Sequence, residues 1–137
     1  MRIVSLSRIV HFSASHRLHV GTYSAQKNRR IFGKCNNPAG HGHNYTAEVT
    51  VTGEIDPVTG MVFNLDELKK ILEATVMKRL DHRNLNLEVP AFKKTNPTAE
   101  NIAIEIHRMV REKIPKPLRL EVKLHETVNN SVVYRGE

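Results

Sequence analysis

Tryptophan is absent from this chain, and aromatic side chains make up only 5% of it. Surfaces that read single-stranded nucleic acid stack bases on aromatic rings, so that mode of binding is disfavoured. Cysteine occurs once, at Cys35. This excludes an internal disulfide and fits a reducing, cytoplasmic setting. No apolar run reaches membrane-spanning length. The opening stretch, MRIVSLSRIVHFSASHRL, is broken by Arg8 and His11 before a signal-peptide core can build up. Repeats, low-complexity segments and linkers are also missing. No Gly-rich dinucleotide fingerprint is evident, so neither nicotinamide nor flavin is expected.

What remains is an ordinary globular composition of 39% hydrophobic and 26% charged residues in 137 positions, enough for one domain over residues 1–137 with its own core. The net charge is +7, which fits nucleic acid, a membrane surface or a small polyanionic substrate. The densest cationic run, Lys27, Arg29, Arg30 and Lys34, reads either as a solvated loop or as part of an anion site.

Alternation predicts a first strand over residues 4–16, whose even face runs Val10, Phe12, Ala14 and ends at His16. Residues 17–40 read as a long loop punctuated by Gly21, Asn28, Gly33 and Pro38. A second strand, 41–52, puts His41, His43, Tyr45, Ala47, Val49 and Val51 on one face and polar residues on the other. A turn over 53–60 leads to a short returning strand at 61–63. Asn64 then caps a helix with Leu65, Leu68, Leu72, Val76 and Leu80 on its inner face. After a loop over 81–96, a second helix from Pro97 or Thr98 turns Ala99, Ile102, Ala103, Ile106, Val110 and Ile114 inward, and Pro115 and Pro117 end it. A closing hairpin, 118–127 and 131–135, carries Leu118, Leu120, Val122, Leu124 and Glu126 on one face. The expected class is α+β: a four-stranded antiparallel sheet with two helices packed on one face.

Three inward faces thus end in a polar residue: His16, the His41/His43 pair, and Glu126. Burying a polar group without a partner costs about 1–3 kcal/mol, so three such ends call for a ligand or a partner. Residues two apart on a strand share a side, about 6.6 Å apart at the backbone. Two imidazoles so placed converge on one metal, and His16 offers a third. Three protein ligands on zinc leave a position for substrate. Cys35 stands six residues before His41. It reads as a base whose thiolate the cation favours, as a fourth ligand, or as a small buried hydrophobe. Asp81 beside His82 is a possible proton relay. Glu126 needs a donor, either the paired N–H edge of a 2-amino-pyrimidinone ring or an internal Arg.

The stretches FSASHRLH (12–19), FGKCNNPAGHGHNY (32–45), GEIDPVTGMVFNL (53–65), LDHRNLN (80–86), PTAEN (97–101), HETVNN and VVYRGE run in order along nearly the whole chain. Together they resemble the 6-pyruvoyl tetrahydropterin synthase family. The resemblance implies Zn2+ on His16, His41 and His43, Cys35 as proton acceptor, Asp81 and His82 as relay, and Glu126 as pterin anchor, with Thr98 and Glu100 in the segment lining the pterin pocket. It implies the tunnelling fold, assembled as a homohexamer of two stacked trimers with active sites between subunits. The implied reaction turns 7,8-dihydroneopterin triphosphate into 6-pyruvoyl tetrahydropterin with loss of triphosphate. Two further expectations are Mg2+ accompanying the substrate triphosphate and contact of the triphosphate itself with the cationic loop around Arg29, Arg30 and Lys34.

The family's usual Thr-Thr-Glu-Asn is Thr98-Ala99-Glu100-Asn101 here, and His125 and Val128 also depart from its pattern. Two alternatives stand beside the main expectation. One is 6-carboxytetrahydropterin synthase of queuosine biosynthesis, whose usual Cys-to-His-Gly-His spacing is shorter than the one found here. The other, more distant, is a zinc-stabilised basic nucleic-acid binding module.

Overall fold

A computed structural model describes residues 2–137. Its scaffold is a long antiparallel pair, β1 (Ile3–His16) and β2 (His41–Glu54), in unbroken register from Ile3 opposite Glu54 to His16 opposite His41. That register decides where the chemistry sits: Phe12 faces Tyr45, Ala14 faces His43, and His16 faces His41, all on one side of the sheet.

The segment between the strands is not the featureless loop that its glycines and asparagines suggest. It contains α1 (Ala25–Phe32) and a 3-10 turn (Gly33–Asn36) that carries Cys35. Ser24 caps α1, its hydroxyl accepting from the Lys27 N–H at 3.1 Å. Asn28, buried within α1, exchanges hydrogen bonds with Val20 and donates to Tyr23 and Ser24 carbonyls. An apparent breaker thus ties the helix to the chain before it. Gly40, at φ 74°, closes the segment, because a Cβ there would stand 3.0 Å from the His16 carbonyl oxygen.

The short strand expected at residues 61–63 does not form. Asp56 and Met61 close a tight loop, and Asn64 caps the next helix immediately, leaving no length for a ladder. Val62 and Phe63 pack against the core instead. The first long helix is α2 (Leu65–Leu72), a π-helical stretch (Glu73–Met77) and a last turn, α3 (Lys78–Leu80). Leu68, Leu72, Val76 and Leu80 are fully buried as expected. Leu65, in the first turn, is 49% exposed and does not join them.

Residues 81–96 also hold structure: β3 (Arg83–Asn84), α4 (Leu85–Glu88) and a 3-10 turn (Pro90–Phe92). β3 pairs parallel with the end of β1 and adds an edge that alternation over two residues cannot reveal. Then come α5 (Ala99–Arg111), capped by Thr98, and the hairpin β4 (Arg119–His125) and β5 (Ser131–Tyr134). The sheet is therefore five-stranded and mixed, in the order β3-β1-β2-β4-β5, rather than four-stranded and antiparallel. The α+β architecture holds. The inner residues of β1, β2 and β4 and the buried faces of α2 and α5 share one apolar cluster.

Candidate metal and pterin site

The histidines collect at the end of β1 and the beginning of β2 for a simple reason. The antiparallel register sets His16 opposite His41, and the two-residue strand repeat puts His43 on the same face. Their ring centroids lie 5.2 Å (His16–His41), 5.1 Å (His16–His43) and 4.6 Å (His41–His43) apart. The 3-10 turn adds the Cys35 Sγ, 3.2 Å from His41 Nε2. One donor atom from each of the four residues lies within 4.8 Å of the other three.

The protonation of this group suits a cation. His16 is fully buried, and its Nδ1 donates to the Pro97 carbonyl at 2.8 Å, leaving Nε2 as a bare lone pair with no partner. His43 Nε2 is buried and unpartnered in the same way. Burial holds the pKa of His16 below its ordinary value, against the pull of the Pro97 carbonyl and Glu126. Burial and then the neighbouring His43 do the same for His41. For His16 and His41 this favours the neutral imidazole that a divalent transition metal requires. The donor set, three imidazole nitrogens and a thiol, fits zinc. Burial, followed by the Glu126 charge, pushes the Cys35 thiol up. A cation on the adjacent imidazoles acts in the opposite sense.

Glu126 stands just beyond the end of β4, one step past the pairing of Thr46 with His125. Its charge bears on His16, Cys35, His41 and Tyr45, so it belongs to this cluster. Among the described residues it forms no ion pair with Arg or Lys, which disposes of the internal salt bridge as its partner. Thr98 is engaged as the cap of α5, accepting from the Asn101 N–H, and Glu100 is exposed in the first turn of that helix.

Asp81 and His82 are not drawn into the group. The Asp81 carboxylate accepts from the Ser13 N–H at 2.9 Å and lies 3.0 Å from His82 Nδ1. The Ser13 N–H, ahead of His82, holds its pKa below the usual carboxylate range. His82, at φ 60°, returns a hydrogen bond from its own N–H to the Ser13 carbonyl and leaves its side chain 82% exposed. The pair thus meets as a dyad and faces outward.

Arg29 and Arg30 lie in the last turn of α1, exposed and complementing the helix C-terminus. Beside the site, a cavity of about 620 Å³ is lined by Arg17, His19, Lys93, Lys94, Asn86 and Asn96, with no carboxylate on its wall. It opens next to His16 and His41 in sequence, through Arg17 and Gly40. Sequence reasoning missed this cavity, because its cations come from segments that are far apart along the chain. It also missed Pro97, whose carbonyl fixes the His16 tautomer, and Tyr45, whose buried hydroxyl has no partner.

The family profile described as 6-pyruvoyl tetrahydropterin synthase matches residues 5–137. The 6-pyruvoyl tetrahydrobiopterin synthase of Poecilia reticulata is 52% identical over 136 residues, covering 99% of this chain and 92% of that protein. The enzyme of the same name from Homo sapiens is 52% identical over 132 residues, covering 96% and 91%. The solved structure of Caenorhabditis elegans 6-pyruvoyl tetrahydropterin synthase superposes with a TM-score of 0.93 at 43% identity, covering 100% of this chain and 98% of that one.

Proposed function

This chain belongs to the 6-pyruvoyl tetrahydropterin synthase family, and from that premise we propose that it is a lyase of tetrahydrobiopterin synthesis, converting 7,8-dihydroneopterin triphosphate to 6-pyruvoyl tetrahydropterin with elimination of triphosphate. The relatives' names favour this product over the carboxy product of the queuosine route. The observation that carries the reading is the convergence of three imidazoles and one thiol within 4.8 Å, two of the imidazoles presenting buried, unpartnered nitrogens.

His16, His41 and His43 would hold Zn2+, which supplies Lewis acidity that acidifies a C–H beside a bound hydroxyl. Cys35, on the turn beside His41, takes that proton as general base. It is not a permanent ligand in this reading, so one coordination position stays free for substrate. Glu126 receives the two parallel N–H groups of the pterin's pyrimidinone edge, with no cation competing for it. Thr98 and Glu100 line the pocket at the start of α5. Asp81 and His82 serve as a second proton relay. Because they face outward from their own chain, they act on a neighbouring subunit's site in a homohexamer.

The triphosphate fits the carboxylate-free cavity of Arg17, Lys93 and Lys94 better than Arg29 and Arg30, which already answer a helix C-terminus. The reading places the enzyme in the cytoplasm, where Cys35 stays a free thiol. The test is the mass of the product formed from 7,8-dihydroneopterin triphosphate by zinc-loaded protein. A pyruvoyl product is expected, while a carboxy product or unchanged substrate rejects the assignment.

A further inference from the structure

Among the described residues Tyr45 is the largest fully buried side chain, and its hydroxyl has no hydrogen-bond partner there. A buried hydroxyl left unsatisfied is destabilising, whereas phenylalanine would fill the same volume without that cost. Its ring is well held, stacked on Phe12 at 4.9 Å and edge-on to His43 at 5.6 Å. The ring therefore explains the aromatic body and leaves the hydroxyl unexplained.

The sheet supplies the explanation. β2 and β4 pair Ala47 with Leu124 and Thr46 with His125, and Glu126 follows directly beyond that last pair, on the side of Tyr45, close enough for its charge to bear on the phenol. Tyr45 belongs to the inward-facing row of Ala47 and Val49, and Glu126 comes two residues after Leu124, at the end of the inward-facing row of Val122 and Leu124. Glu126 is half-buried, and among the described residues its carboxylate has no ion-pair partner. An orphan donor and an orphan acceptor thus occupy neighbouring places on one face.

We propose that Tyr45 is a positioning residue for Glu126: with a ligand's two N–H groups on the carboxylate, the Tyr45 O–H donates to a remaining lone pair and fixes the carboxylate's rotation. A carboxylate has about four acceptor positions, so the ligand's two N–H groups leave room for a third donor. The ionised acceptor makes that bond stronger than one between neutral groups. The inference rests on the pterin reading of Glu126 and adds a residue to it.

The test compares wild type with Tyr45→Phe, both zinc-loaded, for binding of neopterin and of the matching 2-oxo lumazine, which lacks the exocyclic amino group. Neither carries a phosphate, so no turnover intervenes. Tyr45→Phe is expected to weaken neopterin binding by on the order of tenfold while leaving the lumazine nearly unchanged. Zinc content and Tm should not fall, since the free protein loses no hydrogen bond. Equal binding of neopterin by both proteins overturns the inference. An equal loss for the two ligands also overturns it, by showing that the hydroxyl does not act through Glu126, and so does a Tm lowered by several degrees, by showing a structural bond. If wild type itself fails to bind neopterin, the pterin reading fails first and this inference falls with it.

Discussion

At the scale of the residue, the site is governed by who holds which proton. The Pro97 carbonyl accepts a hydrogen bond from the His16 Nδ1–H and thereby aims Nε2 at the cluster, so the ligand is prepared before any ion arrives. Cys35 is in the reverse situation, with burial and Glu126 holding its proton on, so its basicity depends on a cation nearby. Cys35→Ala should therefore retain zinc and lose turnover by about 10²–10⁴-fold, measured as kcat with metal content checked alongside. Lys93→Ala with Lys94→Ala should raise the KM for the triphosphate substrate while neopterin binding stays the same. An unchanged KM would remove the cavity from the account. At this scale the sequence was informative where alternation exposes a misfit: His16, His41, His43 and Glu126 each interrupt an apolar row. Tyr45 gave no such signal, because a tyrosine in an apolar row looks like core until its hydroxyl is traced.

At the scale of the element, what matters is how ends are tied. His107, buried on α5, ties the helix to the closing hairpin: its Nε2 donates to the Leu120 carbonyl of β4 at 3.2 Å and its ring meets Tyr134 of β5 edge-on at 5.0 Å. Burial, with Arg111 adding to it, lowers the His107 pKa, against the Leu120 carbonyl. A histidine that is harder to protonate when folded binds fewer protons in the native state than in the unfolded one. Stability is then undiminished above the ordinary histidine value near 6.5 and declines as pH falls below it. His107→Gln should flatten that decline in denaturant midpoints taken between pH 7 and 5. Gly136 lies over the same ring at φ 87°, where a Cβ would stand 2.9 Å from it, so Gly136→Ala should lower Tm.

The long strands and both major helices were legible in the sequence, because each repeats its period over many residues. α1 was hidden: Gly21, Asn28 and Gly33 read as breakers, although Ser24 is a cap and Asn28 a staple. β3 has only two residues, too few for any period, and exists through pairing with β1.

At the scale of the whole molecule, one chain leaves sheet edges without partners among the described residues. Its sheet ends in two short edge strands, β3 and β5, and the Asp81–His82 dyad faces away from the four-donor group. An unpaired edge invites another strand, and the proposed homohexamer would meet that need by joining chains. Light scattering should therefore find a hexamer. Cys35→Ala and His82→Ala proteins, each inactive alone, should regain activity when dissociated and reassembled together, because mixed assemblies contain sites with both groups intact. No recovery would mean that the base and the relay serve within one chain.

The account depends most on three imidazoles holding zinc while the thiol stays off it. Zinc-edge X-ray absorption on the metal-loaded wild-type protein reads this directly. It should find only nitrogen and oxygen neighbours, at about 2.0–2.1 Å. A sulfur neighbour at about 2.3 Å would make Cys35 a fourth ligand and contradict its role as base.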